Sequence, residues 1–255
     1  MKQDRPRYHV TVAQNEPDVR KAQRLRYQVF VEELGSDGPM VDHQNRLEVD
    51  QFDSYFDHLL LLDAQNGDEV VGVYRVLRDD QAARMGRYYS EDEYDLSTLK
   101  ASGRKLMELG RSCLSAEHRG GPAMFYLWNA LAHYVYEHKI EIMFGVASFH
   151  GTDPDEIAQS LSFLHHNHLA PENLRTRAQP DHYQNMNLCG KGDIDRLTAM
   201  KKIPSLIKAY LRLGGFVGDG AFVDHAFNTI DVCLIMDTEQ LNEKQKNIYS
   251  KGVAA

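Results

Sequence analysis

Long hydrophobic runs are missing from this 255-residue chain. The longest purely aliphatic stretch is Leu59-Leu-Leu-Leu62, far short of the ~20 apolar residues a membrane-spanning helix needs. The opening residues, Met1-Lys-Gln-Asp-Arg-Pro-Arg7, hold no apolar stretch of the kind a secretory leader carries, so neither a leader nor a span is expected. Cysteine is scarce. Cys113, Cys189 and Cys233 are odd in number, far apart and without a C-x-x-C pair, which argues against a disulfide framework and predicts free thiols in a reducing, cytoplasmic compartment. Positive charge is in deficit: 29 Lys and Arg against 37 Asp and Glu leave a net charge of −8, and no basic arm or stripe offsets it. Nucleic acid is therefore not an expected partner. No internal repeat is visible, and the length suffices for one large domain with a real core.

What is present is an alternation of strand and helix signals. Tyr8, Val10 and Val12 alternate with His9 and Thr11, which predicts a short first strand. Val19, Ala22, Leu25 and Val29 lie at helical spacing and predict a helix over 18–34, followed by a polar stretch to about 57. Segments 58–64 and 69–77 flank Gln65-Asn-Gly-Asp68, a hairpin signal because Asn-Gly tolerates positive φ. The polar 88–104 stretch reads as loop or short helix. A charged strand is expected over 106–115, a helix over 122–139 and an apolar strand over 142–147. Asp153-Pro-Asp-Glu156 predicts a helix start, with the helix running to about 167. Segment 171–192 is poorly patterned, 204–213 reads as a helix, and 229–236 as a last apolar strand. One mixed α/β domain over 1–255 is expected, with a polar tail from about 240.

The charged strand and the loop after it are the most informative part of the chain. Glu108 and Arg111 interrupt a run that otherwise looks buried, and a buried charge requires a partner or a function. Strict alternation puts them on opposite faces, unless a bulge near Gly110 brings them to one side. Next comes a glycine loop, His118-Arg-Gly-Gly-Pro-Ala123, with Pro122 at the start of a helix. Such a loop presents backbone N–H groups at a positive helix end, which suits a phosphate.

Four blocks then stand in a telling order: Arg24-Leu-Arg-Tyr-Gln-Val-Phe30, Glu48-Val-Asp-Gln-Phe-Asp53, Gly72-Val-Tyr-Arg-Val-Leu77 and Glu108-Leu-Gly-Arg111. Together they resemble the acyltransferases that draw acyl groups from acyl carrier protein on a GNAT-like fold, among them the N-acylhomoserine lactone synthases. With Glu108-Leu-Gly-Arg-Ser-Cys-Leu-Ser115, Phe144-Gly-Val-Ala-Ser148, Leu211-Arg-Leu-Gly-Gly-Phe216 and Asp231-Val-Cys-Leu-Ile-Met236, the chain more closely resembles the ornithine N-acyltransferases of ornithine-lipid synthesis. The resemblance covers about 24–237. It implies an α/β, GNAT-like fold with a mixed, partly antiparallel central sheet flanked by helices. It also implies transfer of a 3-hydroxyacyl chain from acyl carrier protein to the α-amine of L-ornithine. The GNAT phosphate loop usually reads Gln/Arg-x-x-Gly-x-Gly/Ala, and His118 departs from it in the first place. A carrier-bound pantetheine with one phosphate suits this loop better than coenzyme A does.

Transfer from a thioester to an amine needs a neutral amine, a polarised carbonyl and both groups held in line. Glu108 is the candidate base, directly or through a water, and its alternative role is a structural partner of Arg111. Both are taken as catalytic candidates. Asp50 and Asp53, with Glu48 beside them, form an acidic patch suited to ammonium groups. Arg75 or Arg111 suits the substrate carboxylate, and Arg75 reads equally as a salt bridge to that patch. Arg26 is a substrate-site candidate that reads more readily as a tether between helix and loop, and Phe30 reads as core. The donor's phosphate is expected on His118, Arg119, Gly120, Gly121 and Ala123. An acidic carrier protein calls for a basic docking surface, for which Lys201, Lys202, Lys208 and Arg212 are the candidates; their alternative is a solvated helix face.

His165, His166 and His168 have no acidic or cysteine partner nearby in sequence, so no metal is expected, and no cofactor beyond the carrier's 4'-phosphopantetheine arm as donor substrate. Asp224-His225 lacks supporting spacing for an acid–base pair. The rival readings are the same chemistry on glutamine, another amino acid or S-adenosylmethionine, and, in another class, a non-catalytic binder of acyl carrier protein. The product is amphiphilic, which raises peripheral contact with the inner membrane for a cytoplasmic enzyme.

Overall fold

The structure, a computed structural model, describes residues 6–241. From residue 242 onward the expected polar tail lies outside the described residues. Where the sequence predicts one domain over 1–255, the described residues group by contact into two compact units, one of residues 6–86 with 109–139 and one of 87–108 with 140–241.

In the first unit the strands Tyr8–Val12, Asp57–Asp63 and Glu69–Arg78 run antiparallel. The predicted hairpin is present: the Asp63 side chain accepts from Gln65 N at 3.0 Å, and Gly67 takes φ +64°. The hairpin register sets His58 directly opposite Arg75. The second half of the strand Leu106–Leu114 also belongs to this unit, and Ser115 N at its end donates to Val71 O at 2.9 Å.

The first helix is Glu16–Arg26. It begins two residues earlier than its apolar spacing suggests, because Asn15 caps it by accepting from Asp18 N at 3.0 Å. After Arg26 the chain widens into a π-helix, Tyr27–Glu33, where the sequence predicts an unbroken α-helix. Ala22, Leu25 and Val29 pack on Leu60, Val70, Val73 and Cys113, with Phe30 against the same core. The segment before residue 57 is not simply polar loop. It holds a two-residue hairpin, Val41–Asp42 with Leu47–Glu48, and buries Leu47, Glu48, Phe52 and Phe56.

Gly72 is required by packing. A Cβ there would lie 2.5 Å from Leu114 Cδ2 and 3.1 Å from Leu61 Cβ. Gly72→Val is expected to destabilise the fold by about 1–3 kcal/mol through overpacking. Urea unfolding checks this, and an unchanged midpoint would count against the close approach.

The second unit carries the parallel part of the architecture. Leu106, Met107 and Glu108 pair in parallel with Ile142, Met143 and Phe144. The strand Ile142–His150 is antiparallel to Thr229–Asp237, which also pairs with Ala221–Asp224 and Phe216–Val217. The helices Ala158–His168, Arg196–Lys202 and Ser205–Arg212 accompany them. Asp153 accepts from Asp155 N at 2.9 Å, but the cap position belongs to Pro154, and a 3-10 turn, Asp155–Ile157, precedes the α-helix. Stretch 88–104, polar in sequence, buries Tyr88, Ser90, Tyr94, Leu96 and Leu99. Tyr94 Oη anchors it by donating to Asp231 O at 2.8 Å. Among the described residues no helix is long and apolar enough to cross a membrane.

Candidate active site

Three of the four sequence blocks, and Arg111 from the last, converge inside the first unit on a buried network of charges. Arg26, at the end of the first helix, has a side chain 0% exposed. Its guanidinium donates to Glu48 Oε2, to Glu48 O at 2.6 Å, and to Asp53 Oδ1 and Oδ2 at 2.6 and 2.9 Å. Arg75, 1% exposed, donates through Nη1 to both oxygens of Asp50 at 2.8 and 2.7 Å and to Asp53 Oδ1 at 2.8 Å. Its guanidinium also lies 4.2 Å from the Phe56 ring centroid. Arg111 Nε donates to Glu48 Oε1 at 3.0 Å, and its Nη2 is 3.9 Å from Asp50 Oδ2. Three cations thus face three carboxylates. His58, under Arg75, donates from Nε2 to Asp53 O at 3.0 Å, and burial pushes its pKa down, which keeps it neutral beside these cations.

The charges hold one another in place. Burial pushes the Asp53 carboxyl up, but hydrogen bonds and charge from Arg26, with Arg75 behind them, outweigh it and leave the group well below the usual carboxylate range. Glu48 is lowered in the same way, burial being overcome by Arg111, Arg26 and Arg75. The carboxylates of Asp50 and Asp53, read from the sequence as an acidic patch suited to ammonium groups, are paired with arginines. Arg26 and Arg75 are both buried and paired with these carboxylates. Arg111 differs. Its side chain is 17% exposed, and its backbone has φ +50°, a left-handed conformation that is rare outside glycine and here breaks the strand's alternation.

Glu108 lies in the second unit, 1% exposed. Its Oε1 accepts from Ser90 N at 2.6 Å and from Ser90 Oγ, and its Oε2 accepts from Tyr89 N at 2.8 Å. The carboxylate therefore pins the 89–90 turn and is itself held in one orientation.

The glycine loop is in the first unit. The helix Ala123–His138 starts after Pro122 with no side-chain cap, and its Phe125 and Tyr126 amides donate to Pro122 O at 3.0 and 3.3 Å. Gly120 takes φ +73°, and a side chain at Gly121 would meet open space. His118 does not extend toward that space, since both its ring nitrogens are engaged within the protein. Arg119 donates to Leu114 O at 3.0 and 2.8 Å and pairs with Glu33 at 2.7 Å. In the second unit Lys201, Lys202 and Arg212 are exposed and Lys208 half-buried, the first two on a helix the sequence pattern does not predict. Among the described residues, His165, His166 and His168 join no group of three metal-ligand side chains; Glu93, Asp224 and Asp231 do, with ligand atoms within 4.8 Å of one another.

The Acetyltransferase (GNAT) domain family matches residues 25–129. An L-ornithine N(alpha)-acyltransferase from Rhodobacter capsulatus is 57% identical over 96% of this chain and 96% of its own length. The chain belongs to the L-ornithine N(alpha)-acyltransferase family. Solved structures extend the likeness to the fold of the wider class. FeeM, an N-acyl amino acid synthase from uncultured soil microbes, has a TM-score of 0.53 at 13% identity, covering 92% of this chain and 93% of that one. The acyl-homoserine lactone synthase LasI has a TM-score of 0.52 at 17% identity, covering 97% of each. The fold is the GNAT-like α/β fold, and the reaction class is N-acyl transfer.

Several participants were not singled out in the sequence. His58 was legible in principle, because the Asn66-Gly67 hairpin fixes the register that sets it against Arg75. Asp63, Ser115, Ser90 and Glu33 carried no such signal, since each finds its partner across long sequence separations or through a turn.

Proposed function

We propose that this N-acyltransferase moves a 3-hydroxyacyl chain from the phosphopantetheine arm of acyl carrier protein to the α-amine of L-ornithine. Near full-length identity of 57% to an L-ornithine N(alpha)-acyltransferase carries the reading. The amine, once neutral, attacks the thioester carbonyl; the C–N bond forms, the C–S bond breaks, and the pantetheine leaves as a thiol. Glu108 takes, through a water, the proton that nitrogen loses after attack and passes it on to the departing sulfur, and the three donors on its carboxylate hold it in register. Donor phosphate sits on the amides of Gly121 and Ala123. The product is an amphiphile and is released at a membrane surface.

Arg111 is assigned the ornithine carboxylate. Among the arginines of the buried network it is the one whose side chain reaches solvent, 17% exposed against 0% for Arg26 and 1% for Arg75. Arg111→Ala is expected to raise KM for ornithine by roughly one to two decades while KM for the acyl donor holds, the loss of one charge-assisted contact. Steady-state kinetics with each substrate varied decides it; an unchanged ornithine KM removes Arg111 from the acceptor site.

The function itself is tested by mixing pure protein with 3-hydroxyacyl carrier protein and a panel of amino acids and identifying the product by mass. Product with glutamine or S-adenosylmethionine and none with ornithine would replace the acceptor. No product with any acceptor would leave the non-catalytic reading. Lys201, Lys202, Lys208 and Arg212 are assigned to carrier docking. Lys201→Glu with Lys208→Glu is expected to slow the carrier-bound donor, with a weakened salt dependence, and to spare a small pantetheine thioester. Equal rates for the variant and the parent with both donors would return these residues to a solvated face.

A further inference from the structure

Ser115, His118 and Asp63 form a continuous hydrogen-bonded relay at the base of the glycine loop. Ser115 Oγ lies 2.7 Å from His118 Nδ1, and His118 Nε2 lies 3.2 Å from Asp63 Oδ2. Asp63 is the fixed end. It accepts from Arg7 Nε at 3.3 and 3.1 Å, from Arg7 Nη2 at 2.9 Å and from Gln65 N at 3.0 Å, and it is the last residue of the strand Asp57–Asp63. The Arg7 hydrogen bonds hold its carboxyl down to about 2, so it acts only as an acceptor. Nε2 of His118 then donates to Asp63, and Nδ1 shares a hydrogen bond with the Ser115 hydroxyl. The ring is nearly buried, 9% exposed, with Tyr8 edge-on at 5.9 Å. Ser115 is in turn anchored through its own N–H on Val71 O, and its carbonyl takes His118 N at 3.0 Å.

We propose that His118, held between Asp63 and Ser115, is a positioning residue that sets the direction of the Gly120–Gly121 amides for the donor's phosphate and makes no contact with that phosphate itself. The inference rests on the reading of this loop as the donor's phosphate seat. Gly120 and Gly121 follow within three residues of His118, carry no side chain of their own to steer them, and have open space where a Cβ would be. Their orientation is therefore inherited from whatever fixes the residue before Arg119. Arg119 braces the far side on Leu114 O and Glu33, which leaves the relay to brace the near side. This also accounts for a histidine where the GNAT pattern has glutamine or arginine: the position here faces inward, toward a carboxylate and a hydroxyl.

The test uses the full chain with carrier-bound donor and ornithine, and three variants: His118→Ala, Ser115→Ala and the two combined. His118→Ala is expected to raise donor KM about tenfold, the equivalent of one net hydrogen bond, with ornithine KM held. The double variant is expected to lose no more than His118→Ala alone, because both changes break one unit. An unchanged donor KM overturns the proposal. So does a rise of both KM values together with a fall in Tm, which is what loss of general stability would give. Gly121→Glu, which puts a negative charge into the loop, separates the layers. If it leaves donor KM unchanged, the phosphate seat is wrong and the positioning role falls with it. If it raises donor KM while His118→Ala does not, the seat stands and only the positioning role falls.

Discussion

Arg75→Met is expected to cost about 3–5 kcal/mol of stability, the penalty for removing one partner of a buried ion pair and leaving the other charged. The side chain is buried among Asp50, Asp53 and Phe56. Asp53 would keep Arg26, but Asp50 would be left with the Phe52 N–H at 2.9 Å and with Arg111 as a cation 3.9 Å away. Adding Asp50→Asn to Arg75→Met should recover part of the loss, since the stranded charge goes with it. Arg75→Lys should not restore the parent, because one ammonium cannot reproduce the guanidinium's hold on two carboxylates. Equilibrium urea unfolding measures all three, and a loss below about 1 kcal/mol for Arg75→Met would mean the network is solvated. The same network gives an acid limit. Asp53 and Glu48 have folded pKa values below their unfolded ones, so their contribution is full above the ordinary carboxylate range, near ~4, and is lost as pH falls toward the depressed folded values. Arg75→Met should flatten that dependence.

Glu108→Gln is expected to reduce kcat by about 10²–10⁴-fold, the usual loss for a general base, with donor KM little changed. It should also lower stability by about 1–3 kcal/mol, because the amide NH2 would present a donor to the backbone N–H of Tyr89 or Ser90, where the carboxylate now accepts. The two effects are separable. Ser90→Ala removes one donor from the clamp and leaves the carboxylate, so it should lower Tm with kcat within about tenfold of the parent. Kinetics well below Tm decide the matter. A near-normal kcat in Glu108→Gln with a lowered Tm would reduce Glu108 to a clamp and remove it as base.

Much of this molecule is determined by sequence alone, wherever the cause is local. The hairpin at Asn66-Gly67, the strand 106–114, the helix after Pro122 and the strand 142–150 all follow from side-chain periodicity, turn chemistry and proline position, which act within a few residues. The residues of the charge network were also legible as a set, through the four blocks that carry the family resemblance. What they bind was decided by tertiary structure. Asp50 and Asp53 read from the sequence as a patch suited to ammonium groups, or else as part of a solvated loop. Only the approach of Arg26 and Arg75, 22 to 27 residues away along the chain, makes them counterions. The π-turn after Arg26, the left-handed Arg111 and the inward turn of His118 onto Asp63, 55 residues distant, have no local signature. Each holds a conformation that short-range preference disfavours or leaves open, and long-range contacts supply the free energy that selects it.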